Sequence, residues 1–80
     1  MKAKVIKANY QRELYIFERE DGEYGYFEVL DSIDLEPDDI LSGDFSDIGD
    51  RLVNNLQTGA KIRICIEDFC SLELAMEMIN

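Results

Sequence analysis

The chain has 80 residues, 46% of them hydrophobic, and a net charge of −10 at pH 7. A chain of this length predicts one small domain, residues 1–80, because single cores are built from about 50 to 200 residues. Its acidic surface would repel phosphate, which argues against direct binding to nucleic acid or to an anionic membrane.

The first part of the chain predicts a series of strands. The segments "KAKVIKANY" and "ELYIFERE" are rich in β-branched and aromatic residues, which favour strands, and a polar step over residues 9–12 separates them. Asp21-Gly22 then predicts a two-residue type I′ turn, because glycine accepts positive φ freely and aspartate tolerates it. We therefore expect residues 14–20 and 23–29 to form a hairpin.

The position of this turn predicts which hairpin side chains share a face. With Asp21 and Gly22 at the tip, Phe17 lies opposite Tyr26. Successive side chains on a strand point to opposite sides, so a shift of one residue would exchange the two faces. The predicted core face consists of Leu14, Ile16, Phe27 and Val29. The opposite face, called here the aromatic face, holds the candidate binding residues Tyr15, Phe17, Arg19, Tyr24 and Tyr26, with Glu28 beside them.

The middle of the chain is acidic and predicts short elements. Residues 31–50 hold eight acids and no base. Pro37, Gly43 and Gly49 favour a short edge strand over about residues 39–45 between two turns. Downstream, "RLVNNL" predicts a strand, "QTGA" a tight turn and "KIRICIE" a strand. The side chains expected on one face of this last strand are Ile62, Ile64 and Ile66.

The segment "SLELAMEMIN" predicts a C-terminal helix. Its apolar stripe has helical spacing and consists of Leu72, Ala75, Met76 and Ile79. Ser71 can cap the first turn, while Leu74 and Met78 widen the apolar arc, so a sheet surface or a partner must cover it. The expected fold is mainly β (α+β): a small curved antiparallel sheet or partly open OB-like or SH3-like barrel of five or six strands.

Catalytic and metal-binding chemistry has little support in the residues present. The chain has no histidine, the usual general base near neutral pH, and no nucleotide-binding or nucleophile-elbow motif. An EF-hand-type loop beginning at Asp44 fails, because Ile48 takes its fifth position and Asn55 its twelfth. Cys65 and Cys70 match no zinc or redox spacing, which predicts reduced structural thiols, with a local disulfide as the alternative. We therefore expect no enzyme activity, no catalytic residue, no metal and no cofactor.

The aromatic face is the candidate binding site. In OB-like barrels, exposed aromatic residues on the second and third strands stack on bases or sugars, and this face would occupy that position. The acids around the hairpin would repel a phosphate backbone, so a protein or an uncharged sugar suits the face better. Alternatively, the face is packed away under the C-terminal helix or against a second copy in a homodimer.

These observations predict a small acidic cytoplasmic protein that acts as a non-enzymatic protein–protein interaction or accessory module. The expected partner is another protein, with a basic surface as one option, or a second copy of the chain. No run reaches the roughly 18 apolar residues of a membrane span, and lysines interrupt the N-terminal segment too often for a signal peptide.

The alternative function is an acidic inhibitor that imitates nucleic acid and occupies a basic surface of another protein. In an extended segment 31–50 the acids would lie about 8 Å apart, against about 3.4 Å along one DNA strand. Sequence spacing alone is therefore too sparse, and folding would have to bring further acids beside this segment.

Overall fold

The computed structural model describes all 80 residues and closes six antiparallel strands into a barrel, to which one helix is added. The strands are β1 (Lys2–Asn9), β2 (Leu14–Arg19), β3 (Tyr24–Val29), β4 (Ile40–Ser42), β5 (Gly49–Asn55) and β6 (Lys61–Phe69), and the helix is α1 (Leu72–Ile79). The order around the barrel is β1-β2-β3-β6-β5-β4. The prediction of a small, mainly β barrel with one C-terminal helix is confirmed.

Strand β4 closes the barrel, so its prediction as an edge strand is wrong. Its residues pair with β1 on one side, where Ser42 lies opposite Lys2, and with β5 on the other, where Leu41 lies opposite Asn55. Pairing on both sides satisfies the backbone groups that an edge would leave free. The barrel is therefore closed, and not partly open as the sequence suggested.

The β2–β3 hairpin turns through three residues, which corrects the predicted two-residue turn. The amide of Arg19 donates to the carbonyl of Glu23 at 2.7 Å, and the amide of Gly22 donates to the carbonyl of Arg19 at 2.9 Å. Gly22 has a φ of +90°, the left-handed conformation that follows a type I turn in three-residue hairpin loops. Residues 20–22 therefore form the loop.

The longer loop shifts the hairpin register by one residue and divides the predicted faces differently. Phe17 lies opposite Gly25, and not opposite Tyr26, while Ile16 lies opposite Tyr26. The side chains inside the barrel are Tyr15, Phe17, Phe27 and Val29. Those on the outer surface are Leu14, Ile16, Tyr24, Tyr26 and Glu28. Half of the predicted core face, Leu14 and Ile16, thus lies on the outside of the barrel.

Aromatic rings fill the barrel interior. The rings of Tyr15 and Phe27 stack with their centroids 5.5 Å apart, and the centroid of Phe17 lies 5.2 Å from that of Phe45. The predicted inward-facing residues of β6 are confirmed as core residues: Ile62, Ile64 and Ile66. The barrel therefore has a complete hydrophobic core without the helix.

Helix α1 lies against the outer surface of the β2–β3 hairpin and forms a second, smaller core. Its residues Ala75 and Ile79 pack against Ile16 and Tyr26. The predicted cap is confirmed, because the Ser71 hydroxyl accepts a hydrogen bond from the backbone amide of residue 74 at 3.1 Å. The predicted apolar stripe therefore faces the sheet. The helix is too short to cross a membrane.

Candidate binding site: the hairpin–helix groove

The predicted aromatic face does not exist as one surface. Tyr15 and Phe17 are fully buried inside the barrel, where no partner can reach them. The hydroxyl of Tyr15 accepts a hydrogen bond from the backbone amide of Leu35 at 3.2 Å and so ties the loop after β3 to the core. A flat platform of four aromatic rings for bases or sugars is therefore absent, because the one-residue shift places two of the rings inside.

Arg19 closes one end of the barrel. Its guanidinium carbon lies 5.2 Å from the ring centroid of Phe69, where a cation–π contact forms, and its Nη1 donates to the carbonyl of Phe45 at 2.9 Å. Asp21 accepts two further hydrogen bonds from the same guanidinium, which holds the pKa of that carboxyl below its ordinary value. Arg19 therefore lies over the ring of Phe69, whereas Tyr24 packs against the cluster on the outer surface.

Tyr24 and Tyr26 are the two predicted site residues that lie on the outer surface. Tyr24 is half-buried beside the helix, and Tyr26 is 9% exposed, with its ring among the apolar residues of the second core. The structure therefore brings these two tyrosines together under α1 and separates them from Tyr15 and Phe17. The suggestion that α1 covers the aromatic face is correct for this pair alone.

A groove of about 490 Å³ runs along the junction between the hairpin and α1, and we call it the hairpin–helix groove. Its walls come from β2, β3, β6, α1 and the turn before β2. They are Arg12, Leu14, Tyr26, Glu28, Glu67 and Met78. The groove thus combines an apolar stretch, one tyrosine and two carboxylates within one open depression.

A β-bulge in β6 places two successive acids beside Tyr26. Tyr26 lies opposite Asp68 and Phe27 lies opposite Ile66, so Glu67 is an extra residue in the β6 strand. Such an insertion lets neighbouring side chains point to the same side of the sheet. Glu67 and Asp68 are both exposed, in contrast to the strict alternation of the preceding residues. The bulge therefore concentrates negative charge at the tyrosine end of the groove.

The electrostatics of the groove favour a cation. Burial raises the pKa of Tyr26, and the negative charges of Asp68 and Glu67 raise it further. None of the four ion pairs in the chain involves Glu28 or Glu67. The guanidinium of Arg12, which also lines the groove, donates to the carbonyls of Met78 and Asn80. Arg12 pairs with neither carboxylate, so one base and two acids line the groove and its lining keeps a net negative charge.

Two exposed apolar side chains of α1 continue the groove. Leu74 is 42% exposed and Met78 is 43% exposed, and a spacing of four residues puts them on one side of the helix. We call the surface formed by Leu74, Met78 and the groove the docking face. Its apolar centre was signalled in the sequence by the wide arc of α1. Its acidic rim was not, although two polar residues between Ile66 and Phe69 interrupt the alternation of β6.

The cysteines and carboxylates outside the groove show no reactive arrangement. Burial raises the pKa of Cys65 and of Cys70, and nearby carboxylates including Asp50 and Asp68 add to this effect. Both residues are therefore neutral thiols at neutral pH, a poor state for nucleophilic attack. No group of three histidine, cysteine, aspartate or glutamate side chains is arranged to hold a metal ion.

A second depression, of about 320 Å³, lies between the ends of β1, β2 and β4. It is lined by Lys2, Ala3, Lys4, Glu18, Arg19, Glu20 and Ile40. The amide of Lys2 donates to the Glu20 carboxylate at 2.9 Å, and Lys4 lies opposite Glu18 in the ladder. Both bases and acids line this depression, so it favours neither an anionic nor a cationic ligand.

No protein-family model matches the chain, and comparisons with curated proteins and with solved structures gave no significant match. The functional proposal therefore depends on the geometry and charge of the docking face.

Proposed function

We propose that the protein is a non-enzymatic interaction module that binds a partner protein with a basic, partly apolar surface through the docking face. The observation that carries this proposal is the exposure of Leu74 and Met78 next to the hairpin–helix groove. Apolar side chains at the centre of a patch with charged residues at its rim are the usual composition of a protein interface.

The choice of a basic partner follows from the charge around this patch. Glu28 and Glu67 line the groove, and Glu73 and Glu77 lie on α1 itself. Arg12 is the single base in the groove wall. A second copy of this chain would bring a like set of acids against them, because a two-fold dimer apposes the same patch from each copy. A heterologous partner with lysine or arginine at the rim avoids that repulsion and gains electrostatic attraction during encounter.

Two charge-matched variants test this function. Met78→Glu places a carboxylate in the docking face, whereas Leu52→Glu places the same charge at an exposed apolar position of β5, where Leu52 is 61% exposed. We expect partner capture from the native extract to fall at least tenfold with Met78→Glu and to stay unchanged with Leu52→Glu. If both variants lose partner capture equally, capture depends on net charge alone, which would contradict the proposed docking face.

A second candidate function is the acidic inhibitor that occupies a nucleic-acid-binding surface. It is favoured by exposed acids of segment 31–50 that make no ion pair, among them Asp34 and Asp38. Other acids of the segment are already engaged, since Asp31 pairs with Arg63 and Asp44 with Arg51. The charge available for mimicry is therefore smaller than the sequence suggested.

The two candidates differ in which variant abolishes binding. If the acidic segment is the binding surface, the double change Asp34→Asn and Asp38→Asn should abolish partner capture, while Met78→Glu should have no effect. We expect the opposite pattern. Asparagine is the suitable replacement at Asp38, because this residue has a φ of +76° and asparagine tolerates that conformation.

A further inference from the structure

The hydroxyl of Tyr26 is a polar group without a partner in the hairpin–helix groove. The residue is nine-tenths buried, its ring belongs to the second core, and its hydroxyl makes no hydrogen bond within the chain. The hydroxyl oxygen itself remains accessible to solvent, so it can hydrogen-bond to water or to a group that enters the groove. Its position in the groove wall makes it available to a bound group.

Two of the residues that line the groove with this tyrosine are carboxylates, and one, Arg12, is a base whose guanidinium is already bonded to backbone carbonyls. Glu28 enters from β3 and Glu67 from the β6 bulge, so the carboxylates come from two adjacent strands. Leu14 and Met78 supply apolar surface beside them. A matching ligand therefore needs a positive charge, several donors and an apolar stem.

We propose that the hairpin–helix groove binds an arginine side chain of the partner, with Glu28 and Glu67 as anionic acceptors and the Tyr26 hydroxyl as a neutral acceptor. This inference rests on the proposed function, since it names the partner chemistry recognised at the same face. The aliphatic part of the arginine would lie along Leu14 and Met78.

Arginine fits this set of acceptors better than lysine. Its guanidinium presents five donors in a plane, which can reach acceptors on separate walls at once, whereas a lysine ammonium presents three donors at one point. The guanidinium is also more weakly hydrated, so its transfer into a partly closed groove costs less. Arg12 does not fill the site, because its guanidinium bonds to the backbone carbonyls at the end of α1.

An NMR titration with a small probe tests this assignment without the partner. The probe is Nα-acetyl-arginine N-methylamide, and the signals followed are those of the Tyr26 ring and the Met78 methyl group. The control probe is the citrulline analogue, which has nearly the same shape but no charge. We expect saturable shifts in the millimolar range for arginine, and binding at least tenfold weaker for both the citrulline and the lysine analogues.

Matched variants locate the binding. Glu28→Gln and Glu67→Gln should each weaken binding of the arginine probe at least threefold. Asp34→Asn, which changes an exposed acid outside the groove, should leave the affinity of the probe unchanged. Equal binding of the citrulline or lysine analogue would overturn the assignment. So would the absence of saturable shifts, or glutamine variants that behave like Asp34→Asn.

This result can be separated from failure of the proposed function. If partner capture depends on Met78 but the arginine probe does not bind, the docking face stands and the arginine assignment is wrong. If the probe binds through Glu28 and Glu67 but Met78→Glu leaves capture intact, the groove is a cation site and the docking proposal is wrong.

Discussion

Gly25 lies opposite Phe17 in the β2–β3 ladder, and a Cβ atom on Gly25 would stand 2.7 Å from Phe17 Cζ. The same Cβ would lie 2.4 Å from the carbonyl oxygen of Asp68 on β6. Phe17 therefore occupies the space that a side chain at position 25 would need. The absence of a Cβ at this point lets three strands approach around one aromatic ring.

Gly25→Ala is therefore expected to destabilise the barrel by about 3 kcal/mol, since backbone and a packed ring must move to admit one methyl group. Urea unfolding followed by circular dichroism measures the change. Gly22→Asn serves as the control, because the loop position has open space around it and asparagine tolerates positive φ. If both variants lose the same stability, the close approach at Gly25 is not the cause.

Tyr15→Phe should cost about 1 to 3 kcal/mol, because it leaves the buried amide of Leu35 without its acceptor. Tyr10→Phe removes a hydroxyl that bonds to Glu36 at an exposed position and should change stability by less than about 0.5 kcal/mol. Thermal unfolding of the two variants compares them directly. If Tyr15→Phe leaves the thermal stability unchanged, the hydroxyl does not hold the loop after β3.

The two separate cores predict that α1 can undock while the barrel stays folded. Ile79→Asp buries a charge in the smaller core, where Ile79 is 1% exposed, so we expect at least tenfold faster amide hydrogen exchange throughout α1. The amides of β6 should keep their protection. Met78→Asp adds the same charge at an exposed neighbour and should leave α1 protected. Faster exchange spread equally over the barrel strands would contradict this division.

The pair formed by Asp31 and Arg63 predicts a specific dependence of stability on pH. The backbone amide and the guanidinium of Arg63 both donate to the Asp31 carboxylate, at 2.8 Å and 2.9 Å, and lower the pKa of that carboxyl. A carboxyl with a lowered pKa in the folded state stabilises the protein above its unfolded pKa, about 3.9. This contribution is lost as the pH falls through the lower, folded value.

Asp31→Asn should therefore lower the melting temperature at pH 7, and its deficit relative to the unmodified chain should shrink as the pH falls below about 4. Melting curves between pH 7 and pH 2 measure this convergence. Asp34→Asn, at an exposed acid without an ion pair, should give no such deficit. A deficit for Asp31→Asn that is the same at every pH would show that its charge is not involved.

Local patterns in the sequence predicted much of the fold, because they depend on neighbouring residues alone. The alternation of Ile62, Ile64 and Ile66 places β6, and the helical spacing from Leu72 to Ile79 with the cap at Ser71 places α1. Closure by β4 was not predictable in the same way. It depends on the pairing of Lys2 with Ser42, which brings distant parts of the chain together.

The hairpin register was ambiguous for a physical reason. Asp21-Gly22 suits both a two-residue turn and a three-residue loop, since each places glycine at positive φ. The usual criterion of one apolar face then fails, because the barrel covers one side of the hairpin and α1 covers the other. The small Gly25 beside bulky aromatic residues was the available signal, because a glycine inside a strand often marks close packing.

The candidate site changed with the register. Of the predicted residues, Tyr26 lines the groove and Tyr24 lies nearby, whereas Arg19 packs over Phe69 at one end of the barrel. Glu67 lies in the site because of a β-bulge in β6, and this bulge is defined by the pairing of β6 with β3. The sequence thus identified the hairpin as the relevant element but could not assign its side chains to the correct surface.

Photo-crosslinking from the docking face tests the central claim most directly. A benzoylphenylalanine placed at Met78 should form an adduct with a partner protein in the native extract, and the same group at Leu52 should form none, although both positions are exposed. The account predicts an adduct whose mass differs from that of two copies of this 9.2 kDa chain. Adducts of equal yield from both positions, or an adduct consisting of two copies of this chain, would contradict it.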